Sequence, residues 1–320
     1  MGGPVGRFSG TLARVEVPAG LSTRPLQHED ARAVFEVMAA QEAADLGEVL
    51  IEEADIVGDW NRPVFDVASS TIGVFDGERL VAYGEVGTGG RGDAAVHPDF
   101  RGRGLGTAIA HWMQDNARSK GVVEIGMPVP EGSPGDRLLE VLGYRVRWNS
   151  WGLALLEGAA VPERALPDGY VVREADPSEY EQAWQVQEDA FLEWSVRERE
   201  PFDDWLAQVT GRPGFEPWNL RVVVDPAGAV VAMAWVQLSE GGGETAFIAR
   251  LATKAEQRGR GLAQALLVDS FAAGAAHGAQ KSELSTDSRT GALSLYEKVG
   301  MVVTSNWVNR GLTLTTPEDG

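Results

Sequence analysis

Arg-Gly-Arg-Gly occurs twice, at Arg101–Gly104 and Arg258–Gly261, and the two copies lie 157 residues apart. The same offset separates "LLEVLGY" (138–144) from "LYEKVGM" (295–301), and Gly121 from Gly278. Nearer the start the offset is shorter. "STRPLQHEDA" around Arg24 pairs with "VVREADPSEY" around Arg173 at 149, and "VFDGERLVAYGEV" pairs with "VVDPAGAVVAMAWVQL" at about 150. A longer glycine-rich loop at "SEGGGE" (239–244) absorbs the difference. Several landmarks at one constant offset mark a tandem duplication, so whatever fold the chain adopts it must build twice. The expected units are 1–157 and 168–320, joined by the Pro/Gly/Ala-rich stretch "LEGAAVPERALPDG" (156–169).

Each half reads alike. An extended segment leads into an amphipathic helix, 30–41 in the first half and 178–193 in the second. A variable helical region follows, then a hairpin-like pair of apolar strands. Next comes a strand ending at the Arg-Gly turn, then a helix, a strand, a Leu-rich helix and the final strands. After the first turn Leu105, Ile109, Trp112 and Met113 recur at one helical face, and after the second Ala263, Leu266, Leu267, Ser270 and Phe271 do the same. Strand, glycine-rich turn, helix, strand predicts an α/β fold with a mixed sheet, parallel at its centre and flanked by helices.

Charge limits the partners. The chain carries 47 Asp+Glu against 28 Lys+Arg, a net −19. A nucleic-acid binder needs a basic face, and this composition argues against one. Zero Cys and four His, none in a metal-ligand spacing, predict neither thiol chemistry nor a metal centre. The first twenty residues lack the apolar stretch of a signal peptide, and no run approaches the ~18 apolar residues of a membrane helix. The expectation is a cytoplasmic protein with no membrane partner.

The turn itself suits an anion. Glycines allow positive φ, so several backbone N–H groups can point at one spot. The next helix adds its unpaired first-turn amides and the positive end of its dipole. Arginines can supply charge-assisted contacts, and a diphosphate fits such a cradle. A plain strand-to-helix turn explains one copy equally well. An RNA-binding Arg-Gly tract does not, because such tracts lie in disordered sequence.

Val96, Pro98, Arg101, Gly102, Gly104 and Gly106 fulfil V-x-P-x-x-R-G-x-G-x-G, which resembles the acetyl-coenzyme A signature of the GNAT acetyltransferase superfamily. Arg258, Gly259, Gly261 and Ala263 match its R-x-x-G-x-A form, and "TGALSLYEKVGM" (290–301) is similar to its A-x-x-L-Y-E segment. The resemblance covers nearly the whole chain as two units in tandem, an arrangement also known in mycothiol synthases. It implies acetyl-CoA as acetyl donor. It places coenzyme A at Val96, Arg101, Gly102, Arg103, Gly104, Leu105 and Gly106 in the first unit. In the second the corresponding contacts are Leu251, Ala252 and Thr253, on a splayed strand, with Arg258, Gly259, Arg260, Gly261, Leu262 and Ala263. It also implies that Tyr296 protonates the departing thiolate. Tyrosine alone on an amphipathic helix would read as core; the motif reverses that. Leu139 stands at the same repeat position in the first unit, so the second unit is expected to catalyse.

The sequence departs from the family's pattern in places. Ala255 stands where many members have Pro, and Arg289 and Gly132 where many have Asn. Phe247 occupies the strand position where relatives often place a glutamate, and its first-unit counterpart is Gly90. Asp189, Glu193 and Glu244 lie nearby, but none is singled out as the general base. Acetylation of a small-molecule primary amine is the leading expectation. Its rivals are mycothiol-synthase-like acetylation of a cysteinyl amine, a protein or peptide acetyltransferase, and a non-catalytic acyl-CoA-binding or sensing protein. Duplication also suggests a monomer whose halves pack as an internal pseudo-dimer.

Overall fold

The structure is a computed structural model that describes residues 16–314, apart from 157, 160, 163 and 240–244. The expected glycine-rich loop therefore lies, save for Ser239, outside the described residues, as do parts of the linker. In the first half β1 (Leu21–Arg24) leads into α1 (Ala31–Asp45) and α2 (Glu53–Trp60), then α3 (Val67–Ser70). The hairpin β2 (Thr71–Asp76) and β3 (Arg79–Val86) follows, then β4 (Gly92–Val96) and α4 (Leu105–Ser119). The half ends with β5 (Glu124–Pro130), α5 (Pro134–Val141) and β6 (Arg145–Leu155).

The second half repeats the order. It runs through β7 (Val171–Glu174), α6 (Tyr180–Leu192), α7 (Phe202–Val209), β8 (Leu220–Val224), β9 (Val230–Leu238) and β10 (Thr245–Thr253). It closes with α8 (Leu262–Ala276), β11 (Lys281–Asp287), α9 (Leu293–Glu297) and β12 (Val302–Thr313). The duplication and the mixed α/β fold read from the sequence are both present. No helix among the described residues is long and apolar enough to cross a membrane.

Each half packs helices on two faces of its sheet. In the first half α4 buries Leu105, Ile109, Trp112 and Met113 on one face, while α1 and α2 cover the other with Val34, Val37 and Trp60. In the second half α8 buries Leu266, Leu267 and Phe271, opposite α6 and α7 with Val186 and Trp205. Ala263 is only partly buried; Leu262 and Ala265 complete that face instead.

The sheets do not part where the repeat does. Strand order is β1-β2-β3-β4 in one sheet and β5-β12-β6-β11-β10-β9-β8-β7 in the other. The last strand of each half has crossed over: β12 pairs with β5, and β6 with β11. The two registers obey the repeat, since Trp307↔Pro130 and Asp287↔Ser150 exchange under the same 157-residue offset. At the centre β6 and β12 pair antiparallel. Charged contacts secure the exchange. Arg310 of β12 is buried against Asp136 of α5. Arg212, past α7, pairs with Asp55 of α2 at 3.0 Å and also with Glu52. Such buried pairs contribute little net stability when intact, but losing one partner strands a charge.

Candidate active site

Both Arg-Gly turns adopt the predicted backbone. Gly102 and Gly104 have φ of 73° and 82°, and Gly259 and Gly261 have 76° and 80°. A Cβ at any of the four would meet nothing within 4 Å, so glycine is needed for conformation and not for space. Gly104 and Gly261 are the left-handed N-caps of α4 and α8. Among the described residues the amides of 259–263 donate no hydrogen bond, which leaves them pointed outward at a helix start. That is a cradle for an anion. Gly106 serves another purpose: a Cβ there would come within 2.8 Å of Leu138, so it lets α4 approach α5.

The first arginine of each turn faces elsewhere. Arg258 makes a bidentate pair with Glu193 at the end of α6 (2.6 and 2.7 Å), and its Nε donates to the Thr253 carbonyl. Arg101 grips Asp45 at the end of α1 in the same way, at 2.8 Å twice. Both guanidiniums clasp the first helix of their half. Arg260 donates to the Tyr170 hydroxyl, and Arg103 lies over the Phe100 ring.

Strand splay exposes main-chain amides. β10 pairs with β11 only over Thr245–Ile248, bulges at Ala249, and thereafter pairs with β9 alone. In an antiparallel ladder the amides alternate between the two sides. Lys254 donates to Val231 of β9, so by that alternation Arg250 and Ala252 also face β9. The N–H groups of Leu251 and Thr253 therefore face the gap toward β11, and among the described residues neither donates to anything. The Thr253 hydroxyl, buried at the same place, has no partner either.

The first half has the same splay: among the described residues β4 has no ladder to β5, and a single parallel bridge, Arg91↔Gly126, joins the residue before β4 to β5. There, however, the corresponding amides are taken. Ala94, the counterpart of Leu251, donates to Asp93 Oδ1 at 2.8 Å. Val96, the counterpart of Thr253, donates to Gln41 Oε1 at 3.0 Å.

Tyr296 of α9 is buried in the core cluster that Leu251 packs against. Its hydroxyl lies at Thr286, on the part of β11 that has left β10, and burial pushes its pKa up to about 12. Leu139 is a buried core residue at the same place in the first half. The two cleft mouths differ too. Arg289 lies between Trp148 and Trp194, 3.5 and 4.6 Å from their ring centres, and also pairs with Asp287 at 2.6 Å. The first-half counterparts are Gly132, Ser305 and Leu46, and they line an open cleft of about 440 Å³ beside Arg101.

Of the carboxylates named as base candidates, Glu193 is held by Arg258, Asp189 pairs with Arg199, and Glu244 lies outside the described residues. The amide caps Asp93 and Gln41 were not foreseen, and nor was the aromatic strap. Comparing residues at the repeat offset would have exposed Asp93 against Arg250. The caps depend on side-chain reach, which has no signature in sequence.

Comparison with known proteins agrees with this geometry. The profile described as "Acetyltransferase (GNAT) family" matches residues 34–143 and again 178–301. A mycothiol acetyltransferase of Salinispora tropica is 31% identical over 237 residues, covering 69% of this chain and 73% of that one. One from Kineococcus radiotolerans is 30% identical over 266 residues, covering 78% and 83%. A solved GCN5-related N-acetyltransferase from Sphaerobacter thermophilus superposes with a TM-score of 0.72 at 25% identity, covering 94% of this chain and 98% of that one. A tandem GNAT protein from the clavulanic acid biosynthesis pathway shares the fold, with a TM-score of 0.70 at 18% identity over 92% and 99% of the two chains. With its two cradles, two splayed sheets and two profile matches, the chain belongs to the GNAT acetyltransferase family, as a tandem, acetyl-CoA-dependent N-acetyltransferase.

Proposed function

We propose that the second half performs the acetyl transfer, and that its acceptor is the primary amine of a small molecule. The observation that carries this reading is the pair of unengaged amides at Leu251 and Thr253, set against their capped counterparts in the first half. The 259–263 amides and the start of α8 would hold the cofactor's pyrophosphate. Acetyl-CoA supplies an acyl group already activated as a thioester.

The chain's own groups do the rest. The Leu251 N–H is aimed where a carbonyl oxygen gains negative charge, and fixed donors of this kind stabilise such charge strongly. In the first half the carboxylate of Asp93 sits at that amide and would repel the same charge. Burial raises the Tyr296 pKa to about 12, so its Oη carries a proton at neutral pH that it can give to the departing thiolate, beside Thr286. Leu139 has no proton to give.

Tyr296→Phe tests the assignment. Release of the free thiol with an amine panel should fall by roughly 10²–10⁴ in kcat, with calorimetric affinity for acetyl-CoA unchanged. An undiminished rate would remove Tyr296 from the mechanism and favour a non-catalytic acyl-CoA sensor.

Acetylation of a cysteinyl amine is the second reading, favoured by relatives named mycothiol acetyltransferases at about 30% identity. Phe247 does not separate the two readings, since the absence of a carboxylate there bears on any amine acceptor alike. A monomer is also part of the proposal, since the crossed strands already pair the two halves within one chain. Light scattering showing a dimer would overturn that part.

A further inference from the structure

Arg250 sits on β10 just past the bulge, beside Leu251, on the face covered by α6 and α7. Its position is half-buried between the two halves, and few of its N–H groups are used. Nη1 donates to the Ala249 carbonyl at 3.0 Å, Nη2 reaches Gln208 Oε1 at 3.3 Å, and Cζ lies 5.8 Å from the Trp235 ring centre. Among the described residues no carboxylate lies within ion-pair distance of it.

The carboxylates around it already have partners. Arg62 lies 3.7 Å from Glu200 and 3.9 Å from Asp59, and Asp59 also accepts from Gln208 at 2.6 Å. Glu188 is held by Arg197 at 2.6 Å. Arg91 and Arg197 add positive potential at Arg250, and burial draws its pKa below the usual arginine value against the pull of Glu200 and Asp59. A guanidinium removed from water without a carboxylate is costly, and its planar fork matches a carboxylate in two contacts at once. This guanidinium, in a chain of net charge −19, stands beside the reacting strand with no carboxylate in contact. The first half places Asp93 at the same repeat position.

We propose that Arg250 binds a carboxylate on the acceptor, so that the second half acetylates amines carrying a carboxylate close to the nitrogen, of the amino-acid type. This rests on the second half being the acetylating one.

Matched acceptors decide the matter. α-, β- and γ-amino acids would be compared with their carboxamides, cysteine with cysteinamide among them. Thiol release and calorimetry in the presence of CoA would be read for wild type, Arg250→Gln and Arg250→Lys. Carboxylate acceptors should show KM and Kd at least about tenfold better than their amides. Arg250→Gln should erase that preference while leaving the amides unaffected, and Arg250→Lys should restore part of it.

Equal use of acids and amides would overturn the proposal, as would an equal loss on both in Arg250→Gln, or no carboxylate-dependent binding by any pair. Failure of the underlying reading would look different. Acetyl transfer would then survive Tyr296→Phe whatever the acceptor, and acid–amide discrimination would play no part.

Discussion

The two clefts share a backbone and differ in what occupies it. Each has a splayed strand pair, an Arg-Gly turn in the same conformation, and an arginine clasping the end of the preceding helix. At the strand itself they diverge. In the first half Asp93 and Gln41 cap the two gap-facing amides; in the second, among the described residues, the Leu251 and Thr253 amides have no such cap. A phenol stands at Tyr296 where the first half has Leu139. Glu85 and Asp93 face one another across β3 and β4, whereas Trp235 and Arg250 occupy those places in β9 and β10. A duplicated fold can therefore keep its architecture while a few side chains take up backbone amides in one copy and not in the other.

The sharpest way to break this comparison is to remove the donor in each half separately. Proline has no N–H, and it is tolerated where that N–H faces away from the ladder. Leu251→Pro should lower kcat by roughly 10²–10³, the loss typical of one oxyanion donor, whereas Ala94→Pro should leave turnover unchanged. Melting curves for both would confirm folding. Equal loss in the two variants would mean that the halves are not functionally distinct.

A smaller effect is expected on stability. Burial, and next the neighbouring Asp93 charge, raise the Glu85 pKa to about 7, against the indole N–H of Trp60 that donates to it at 3.0 Å. Its folded pKa thus exceeds its unfolded value, so the folded state binds more protons between about pH 4.5 and 7. Stability should fall across that window as pH rises, then level off. Glu85→Gln keeps an acceptor for Trp60 and should be more stable than wild type at pH 8, by up to about 3 kcal/mol. Denaturant titrations at pH 5 and pH 8 would read it, and identical pH dependence in the two proteins would sink the assignment. Trp235 and Arg250 stand at the corresponding positions, so that strand pair should contribute no matching slope.

Much of this was open to reading in advance. The 157-residue offset carried the duplication, the glycines carried the turn geometry, and the LYE segment singled out Tyr296. Those signals are local, because a positive-φ turn or an amphipathic helix depends on neighbours in the chain. Arg101 and Arg258 show the boundary: their presence in the motif was plain, yet whether they face phosphate or carboxylate depends on helix ends some fifty to sixty-five residues away. The glycine-rich stretch 239–244 marks where the repeat offset changes in the sequence, without that saying how β10 would part from β11.

The amino-acid sequence by itself determined that there are two copies of one α/β unit, each with a glycine-rich turn of positive φ, because periodicity and glycine placement act over short distances. Only the tertiary structure decided that β6 and β12 change places, that Asp93 and Gln41 take up the first half's gap-facing amides, and that Arg250 is left without a carboxylate in contact. Each of these outcomes depends on which distant groups come within hydrogen-bond range, and chain packing alone sets that.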